Sequence, residues 1–305
     1  TRFSADLSPK LKAEAAISLN YYHYKFQPLA GSSVSAAGRR SFNPEWMPRL
    51  GLSYAFSGSL AWRASLSRGY SPPTLAEIRP SDQQLNTRLE AETGYNVETG
   101  FRFSSTANRF QADVSVYNYR LRKAIVRRLD ASGAEFFTNA GGTSQTGLEA
   151  LLSGWLIPYQ EGRLVKGLQL SSSFTFNYFR FSNYRQNETD LSGNRLTGTP
   201  QEVVVSGVIL HLPAGFIFSG QHNFTGRLPL NDANTVYAGS YHLVQAKLRW
   251  LQAKSKDHAL EFYAGADNLL NQKFSLGNDL NAFGNRYYNA APLRSWYVGA
   301  SINFR

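Results

Sequence analysis

Residues 109–156 read RFQADVSVYNYRLRKAIVRRLD, ASGA and EFFTNAGGTSQTGLEALLSGWL, two long extended segments around a short polar tip at Asp130 to Gly133. In the first segment apolar and polar side chains alternate with a period of two, as in a strand with two different faces. The apolar positions are Phe110, Ala112, Val114 and Val116, and the polar ones are Gln111, Asp113, Ser115 and Tyr117.

The length of these segments distinguishes two kinds of sheet. A water-soluble sheet with one face on a core shows the same alternation, but its strands average about five or six residues. Each segment here runs to roughly twenty residues, whereas a strand that crosses a membrane needs about 9–11. The pattern therefore predicts one hairpin of a transmembrane β-barrel whose arms project beyond the bilayer.

The composition agrees with a barrel and excludes other classes. Aromatic residues make up 14% of the 305 residues, which suits barrels with aromatic girdles at both membrane surfaces. No run approaches about 18 consecutive apolar residues, and this excludes a transmembrane helix. The absence of cysteine excludes disulfides and thiolate metal sites. The first ten residues lack the apolar core of a signal peptide, so we expect the chain to begin within a structure or to have been processed.

The charge pattern and the motifs argue against several activities. The net charge is +11, but the basic residues are dispersed, so nucleic acid is not expected as a partner. An anionic surface or ligand suits this charge better. The five histidines lack metal-ligand spacing, and no nucleophile elbow, P-loop or dinucleotide-binding glycine set is present. No catalytic residue, metal site or cofactor is predicted.

The same alternation continues along the chain and predicts an all-β fold of about 13 strands. The predicted strands are 1–7, 14–24, 46–56, 60–68, 95–104, 109–129, 134–156, 167–181, 201–212, 216–225, 241–251, 258–270 and 296–304. Long polar loops at 26–45, 69–94, 182–199, 226–238 and 273–292 alternate with short turns. This alternation is typical of outer-membrane barrels, which have short periplasmic turns and long outer loops. Because such barrels have even strand numbers, an odd count suggests that only part of a barrel is present.

Several stretches resemble the C-terminal part of the barrel of a TonB-dependent outer-membrane receptor. They occur in that family's order over residues 46–304. The matching stretches are PRLGLSYAF (Pro48 to Phe56), ASLSRGYSPPTLAEI (Ala64 to Ile78), NVETGFR (Asn96 to Arg102), YNYRLRKAIV (Tyr117 to Val126), FTNAGGTSQTGLEA (Phe137 to Ala150), ADNLLNQKF (Ala266 to Phe274) and LRSWYVGASINF (Leu293 to Phe304).

The resemblance implies a 22-stranded barrel with an N-terminal plug, energised through TonB in the bacterial outer membrane. It implies that residues 1–305 are the C-terminal part of the barrel, without the plug, the TonB box and the first strands. It also implies import of a scarce ligand such as a ferric siderophore. Haem receptors of the family carry FRAP and NPNL motifs, whereas this chain has YSPPTLAEI and NTRLEAE there, which favours siderophore-type ligands.

Ten residues in or beside the long loops are candidate ligand contacts. They are Arg39, Arg40, Arg79, Arg185, Arg195, Arg286, Tyr70, Tyr237, Tyr287 and Tyr288. The arginines suit an anionic ferric chelate through charge-assisted bonds, but for any single arginine solvation of a loop or contact with lipopolysaccharide phosphate is the favoured explanation. The tyrosines suit stacking on a catecholate, but anchoring at the lipid surface is the favoured role for them.

Three functions therefore compete. The leading one is import of an iron complex, with TonB, membrane lipid and lipopolysaccharide as partners. A passive porin-like channel or an adhesin barrel is the second. An outer-membrane hydrolase is the third, and it lacks any recognisable nucleophile and base, so the chain is not expected to be an enzyme.

Overall fold

Thirteen strands form a single antiparallel sheet in the computed structural model, which describes residues 1–28, 37–80, 85–129, 133–139, 141–186, 188–253 and 258–304. Each strand of this wall pairs with the wall strands before and after it in the chain. In chain order they are β1 (Arg2–Asp6), β2 (Leu11–Asn20), β3 (Glu45–Ala55), β4 (Leu60–Ser71), β5 (Glu92–Ser104), β6 (Phe110–Arg122), β7 (Gly142–Ile157), β8 (Gly167–Ser182), β9 (Glu202–His211), β10 (Phe216–Thr225), β11 (Tyr241–Ala253), β12 (His258–Asp267) and β13 (Ser295–Phe304). The predicted all-β class and up-and-down order are confirmed.

The wall remains an open sheet in the described part of the chain. There, β1 pairs only with β2, and β13 pairs only with β12.

The apolar face of the wall is exposed and does not form a core. Of the apolar residues that alternation places on this face, Leu60, Val114, Val298 and Ile302 are exposed, and Trp62 and Phe174 are half-buried. Val298 reaches 84% exposure. A continuous apolar face on such long strands is the surface that a barrel presents to hydrocarbon.

The opposite face of the wall is polar and carries paired charges. Asp113 on β6 lies 2.7 Å from Arg63 on β4 and 2.7 Å from Arg102 on β5. Glu98 lies 3.7 Å from the same Arg63. These pairs explain how charged residues lie between apolar ones in sequence, because alternate residues point into an aqueous interior.

The connections at one end of the wall are short. Two of them contain single 3₁₀ turns, Thr106–Asn108 and Pro213–Gly215. In the second turn Ala214 adopts a positive φ of 54° to reverse the chain between β9 and β10.

The long connections at the other end contain further small elements. Five two-stranded hairpins pair His23–Phe26 with Gly38–Ser41, Ile125–Leu129 with Glu135–Asn139, Arg185–Gln186 with Thr189–Asp190, Leu228–Pro229 with Tyr237–Ala238, and Ser275–Asn278 with Tyr288–Ala290. The short helix α1 (Leu75–Ile78) begins with a capping box between Thr74 and Glu77. A 3₁₀ turn covers Phe283–Asn285. None of the helices in the described ranges has the length and apolar character needed to cross a membrane.

The structure corrects the predicted continuous arms of the long hairpin. β6 ends at Arg122 and β7 begins at Gly142, while Ile125–Leu129 and Glu135–Asn139 pair separately as what we call the outer hairpin. Lys123 and Gly141 both adopt positive φ, 57° and 53°. A Cβ on Gly141 would lie 2.0 Å from the Asn183 carbonyl oxygen, so only glycine fits there. Residues 130–132 of the predicted polar tip lie outside the described residues.

Other differences concern strand ends. The strand predicted over 14–24 is β2, which begins at Leu11 and ends at Asn20, and the residues after Tyr22 pair with Gly38–Ser41 instead. β5 begins at Glu92 rather than at residue 95.

Most buried apolar side chains lie among the long connections, and the exceptions among the described residues are Phe181 at the end of β8 and Ala266 on β12. One cluster contains Leu228, Leu230, Ala238 and Tyr287, and a second contains Phe181, Tyr184 and Leu191. The long connections therefore pack into a layer with its own small cores, which we call the cap.

Candidate functional site

Asp232, in the connection between β10 and β11, lies at the buried centre of the cap. It is 5% exposed. Thr197 Oγ1 and Asn281 Nδ2 donate hydrogen bonds to its Oδ1 at 2.6 Å and 3.0 Å, and the Tyr184 hydroxyl donates to its Oδ2. Burying a carboxylate is costly unless its oxygens accept hydrogen bonds. These three donors therefore offset the free-energy cost of burying Asp232.

A positive charge accompanies this carboxylate. Arg128 Nη1, in the outer hairpin, lies 3.4 Å from Asp232 Oδ2, and the guanidinium carbon lies 4.9 Å from the centre of the Tyr184 ring. Removing one partner of a desolvated pair leaves the other charge uncompensated. Arg128, Tyr184, Thr197, Asp232 and Asn281 therefore act as a unit, which we call the cap hub.

Tyr184 remains a hydrogen-bond donor over a wide pH range. Burial raises the pKa of its hydroxyl, and the hydrogen bond to Asp232 raises it further. Both causes act in the same direction, because burial disfavours a charged phenolate and the hydrogen bond to Asp232 stabilises the protonated hydroxyl. The Tyr184 hydroxyl is thus protonated at neutral pH and donates to Asp232.

The hub joins connections that are far apart along the wall. Arg128 follows β6, Tyr184 and Thr197 follow β8, Asp232 follows β10 and Asn281 follows β12. β6 and β12 are separated by six strand spacings, which at about 4.8 Å each amount to about 29 Å along the sheet. Nevertheless Arg127 Nη2 donates to the Leu280 carbonyl oxygen at 2.8 Å. The connections must therefore reach across the mouth of the curved wall.

The outer hairpin is also fixed to the connection between β4 and β5. Asn86 Nδ2 donates to the Phe137 carbonyl oxygen at 2.8 Å, and Asn139 Nδ2 donates to the Glu90 carbonyl oxygen at 3.0 Å. The Glu90 amide donates back to Asn139 Oδ1 at 2.8 Å. The outer hairpin therefore links two sides of the mouth.

Three of the candidate ligand contacts, Arg195, Tyr237 and Tyr288, come together at the rim of the cap. The guanidinium carbon of Arg195 lies 5.8 Å from the centre of the Tyr237 ring, and that of Arg227 lies 5.1 Å from the same centre. Tyr288, which is exposed, donates its hydroxyl to the Tyr237 carbonyl oxygen at 3.3 Å. Arg227 did not stand out in the sequence, because a single arginine in a loop carries no pattern.

The remaining candidate arginines are distributed around the mouth. Arg39 is exposed and donates to the Tyr21 hydroxyl at 3.0 Å. Arg79 follows α1, Arg185 lies in a small hairpin and Arg286 follows the 3₁₀ turn at 283–285, and all three are exposed. They are separate groups rather than one assembled pocket.

Two candidates have buried polar atoms. Arg40 packs against Phe42, with 5.3 Å between its guanidinium carbon and the ring centre. Its Nε and the Tyr70 hydroxyl are buried without a hydrogen-bond partner among the described residues. Such atoms are costly to leave unsatisfied, so they are suitable donors for a bound group.

Tyr287 differs from the exposed ring that stacking on a ligand requires. It is 6% exposed and packs with Leu228, Leu230 and Ala238, while its hydroxyl donates to Asn285 Oδ1 at 3.2 Å. In this conformation its ring supports the cap rather than facing solvent.

The hub itself could not be recognised from the sequence. Asp232 lies in the polar stretch NDANT, and its partners are 35 to 49 residues away or, for Arg128, 104 residues away. The only sequence signal for the hub was an aspartate in an asparagine-rich stretch. Because most loops contain such stretches, this signal does not distinguish a buried hub from an ordinary loop. No group of three or more potential metal ligands occurs among the described residues.

Comparison with known proteins shows which family has this fold. The family model described as "TonB dependent receptor-like, beta-barrel" matches residues 2–269. The siderophore receptor PiuA from Acinetobacter baumannii superposes with a TM-score of 0.75 at 16% identity, covering 98% of this chain and 41% of that one. The ferric yersiniabactin uptake receptor FyuA from Yersinia pestis gives a TM-score of 0.69 at 16% identity, with coverages of 99% and 44%.

The copper transporter OprC has the same fold as well, with a TM-score of 0.76 at 12% identity and coverages of 99% and 46%. At these identities the likeness concerns the fold. The chain spans less than half the length of each of these three proteins.

Proposed function

Since the chain belongs to the TonB-dependent receptor β-barrel family, we propose that it forms the outer wall and cap of a receptor that imports a ferric siderophore or a similar iron complex with energy from TonB. The family places the chain in the bacterial outer membrane. We further propose that these residues are the C-terminal part of a 22-stranded barrel, with plug and TonB box contributed by other residues of the receptor.

The observation that carries this proposal is the joining of four long connections at Asp232 across the mouth of the wall. A receptor must hold its ligand at the outer surface before transport, and a cap on a rigid wall provides such a surface. A passive channel would instead require an open mouth, so the cap disfavours the porin-like alternative. A family of transporters also fits the expectation that the chain is not an enzyme.

The ligand contacts that we propose are the arginines and tyrosines around the mouth. Arg39, Arg79, Arg185 and Arg286 offer exposed guanidinium groups, and Arg40 and Tyr70 offer buried donors without a partner in the described part of the chain. Tyr288 offers an exposed ring. Together they suit a ligand that is anionic and aromatic, as ferric catecholates are.

Uptake by cells that produce the receptor containing this chain tests the proposal. Radiolabelled ferric siderophores should accumulate in cells with TonB and should not accumulate in cells without it. The double variant Arg79→Gln/Arg286→Gln should bind the ligand about tenfold more weakly, because two charge-assisted contacts are lost. The control Lys10→Gln/Arg163→Gln removes two exposed charges at the short-turn end and should leave uptake unchanged. Uptake that does not depend on TonB would refute the proposal.

A further inference from the structure

Two histidines on neighbouring strands lie close together near the long-connection end of the wall. His222 on β10 is opposite Val244, and His242 on β11 is opposite Phe224, so the histidines are diagonal neighbours. His222 Nε2 lies 2.9 Å from His242 Nδ1. The ring planes differ by 12° and the ring centres are 5.2 Å apart. Because the facing nitrogens are much closer than the ring centres, the imidazoles meet edge to edge and not face to face.

Both histidines lie on the outward face of the wall. Alternation places His242 on the face of Leu248, which is exposed, whereas Arg249 on the opposite face approaches Glu261 at 3.9 Å. His222 lies on the same side as His242, because their rings are in contact. His242 is exposed and is the second residue of β11. The pair can therefore be reached from outside the wall, at the end where the cap begins.

The edge-to-edge contact aims two ring nitrogens at the same gap. Each nitrogen carries either a proton or a lone pair in its ring plane, so a hydrogen bond across the gap uses one proton. Imidazole nitrogens are also good ligands for zinc, copper and nickel ions. Two metal–nitrogen bonds of about 2.0–2.1 Å, at a right or tetrahedral angle, separate their nitrogens by about 2.9–3.4 Å. The 2.9 Å between these two nitrogens lies at the lower end of that range.

The neighbours of the pair hold its backbone but leave the rings able to tilt. The His242 amide donates to Gln272 Oε1 at 3.2 Å, and the centre of its ring lies 4.7 Å from that of Phe224. In the described part of the chain, the other ring nitrogens, His222 Nδ1 and His242 Nε2, make no hydrogen bond. A tilt of the exposed His242 ring therefore breaks no other bond of the described residues and directs both lone pairs at one ion.

We propose that His222 and His242 form a bidentate site for a divalent metal ion of the zinc and copper class, with water completing its coordination. The metal takes the place of the proton that the two nitrogens share. Among the described residues no third histidine or carboxylate joins the pair, so the site binds metal more weakly than a structural zinc site with four protein ligands. The site is separate from the ligand contacts of the mouth and does not depend on the proposed function.

A metal at this position would join the two strands between which the hub connection runs. His222 lies three residues before the end of β10, His242 lies at the start of β11, and the connection between these strands carries Asp232. The ladder between the two strands ends with the pair Thr225 and Tyr241. Because the ends of a ladder open more readily than its middle, a metal bond across the strands should reduce fraying at this end.

Metal binding by the receptor, purified from outer membranes in detergent, tests the site. Calorimetric titration with ZnCl₂ should detect a site in the wild type that His222→Phe and His242→Gln each weaken by at least about tenfold, because each removes one of two ligands. The first variant keeps an aromatic ring on the apolar face, and the second keeps a side chain that can hydrogen-bond to its neighbour. His23→Phe, which changes an exposed histidine of a small hairpin, is the matched control and should bind zinc as the wild type does.

Two further measurements identify the ligands and the consequence of binding. The electron paramagnetic resonance spectrum of the wild type with one equivalent of Cu²⁺ should show coupling to two imidazole nitrogens, and neither variant should show both. Hydrogen exchange at the Thr225 and Tyr241 amides should slow when Zn²⁺ is added to the wild type and should not respond in the variants. Equal zinc affinity in the wild type and both variants, an equal loss in the control, or a wild-type copper spectrum without two nitrogens would each overturn the proposal.

Discussion

The wall and the cap are held together by different physical means. In the wall, long backbone ladders join neighbouring strands, and the outward side chains need only be apolar to suit hydrocarbon. In the cap, segments separated by up to 153 residues meet through individual side chains, and a buried carboxylate lies at the centre. Many interchangeable contacts support the wall, whereas a few irreplaceable ones support the cap.

This difference predicts that the two regions respond to substitution in different ways. In the wall, the face of a residue should decide the effect of a change. In the cap, membership of the hub should decide it.

The largest effect is expected for Asp232→Ala. It leaves Arg128 as an uncompensated buried charge and removes the acceptor of Tyr184, Thr197 and Asn281, so the cap should lose about 3–5 kcal/mol of local stability. Hydrogen exchange should accelerate at the Leu230 and Asn281 amides, which donate within the cap, and remain slow in β10 and β11. Asp190→Ala, an exposed carboxylate of the same layer, is the control. Unchanged exchange in the Asp232 variant would show that the hub does not hold the cap.

A somewhat smaller effect is expected in the wall, and only on one face. Val114→Arg places a charge on the outward face of β6 and should cost about 2–4 kcal/mol for folding into a bilayer. Gln111→Arg, on the polar face of the same strand, should cost much less. Denaturant titration in lipid vesicles measures both. Equal costs for the two variants would contradict the assignment of the faces.

Tyr184→Phe should have a moderate and pH-dependent effect. Loss of its hydrogen bond to Asp232 should cost about 1–2 kcal/mol. The unfolded hydroxyl has a pKa of 10.0 and the folded one a higher pKa. The stability that the protonated hydroxyl contributes is therefore fully present below pH 10.0 and is lost as the pH rises through the folded value.

Limited proteolysis of the cap between neutral pH and pH 11 measures this dependence. The wild type should become more susceptible near the upper end, and Tyr184→Phe should lack the additional contribution of this group. Identical pH profiles for the two proteins would count against a protonated Tyr184 as a support of the hub.

The smallest effect is expected for Lys123→Gln. Lys123 pairs with Glu90 at 2.9 Å, but both side chains are about half exposed, and such pairs contribute about 0–1 kcal/mol. Hydrogen exchange in the outer hairpin should be nearly unchanged. A loss comparable to that of Asp232→Ala would mean that surface pairs, and not the hub, hold the hairpin in place.

The wall could be predicted from local information. The alternation in Phe110, Ala112, Val114 and Val116 determined the faces of β6, and β10 has the predicted bounds, Phe216–Thr225. The predicted strand bounds were wrong where contacts between loops replace the backbone hydrogen bonds between neighbouring strands. The arm was predicted to continue past Arg122, yet Lys123 and Gly141 turn the chain, and Asn139 Nδ2 donates to the Lys123 carbonyl oxygen at 2.7 Å.

The candidate site shows the same division. The sequence identified arginines and tyrosines in the long loops, but their ligand role stays a prediction. It did not indicate that Tyr287 is buried or that Asp232 joins four connections. Each of these depends on which loops meet, and residue type alone does not contain that information.

The sequence by itself determined the strands, their order and their two faces, because a period of two needs only neighbouring residues and two different solvents. Only the tertiary structure decided how the loops close over the mouth and which charges are paired. The physical reason is that a buried ion pair or hydrogen bond forms between residues distant in sequence, and its free energy depends on geometry that exists only after the wall has brought the loops together.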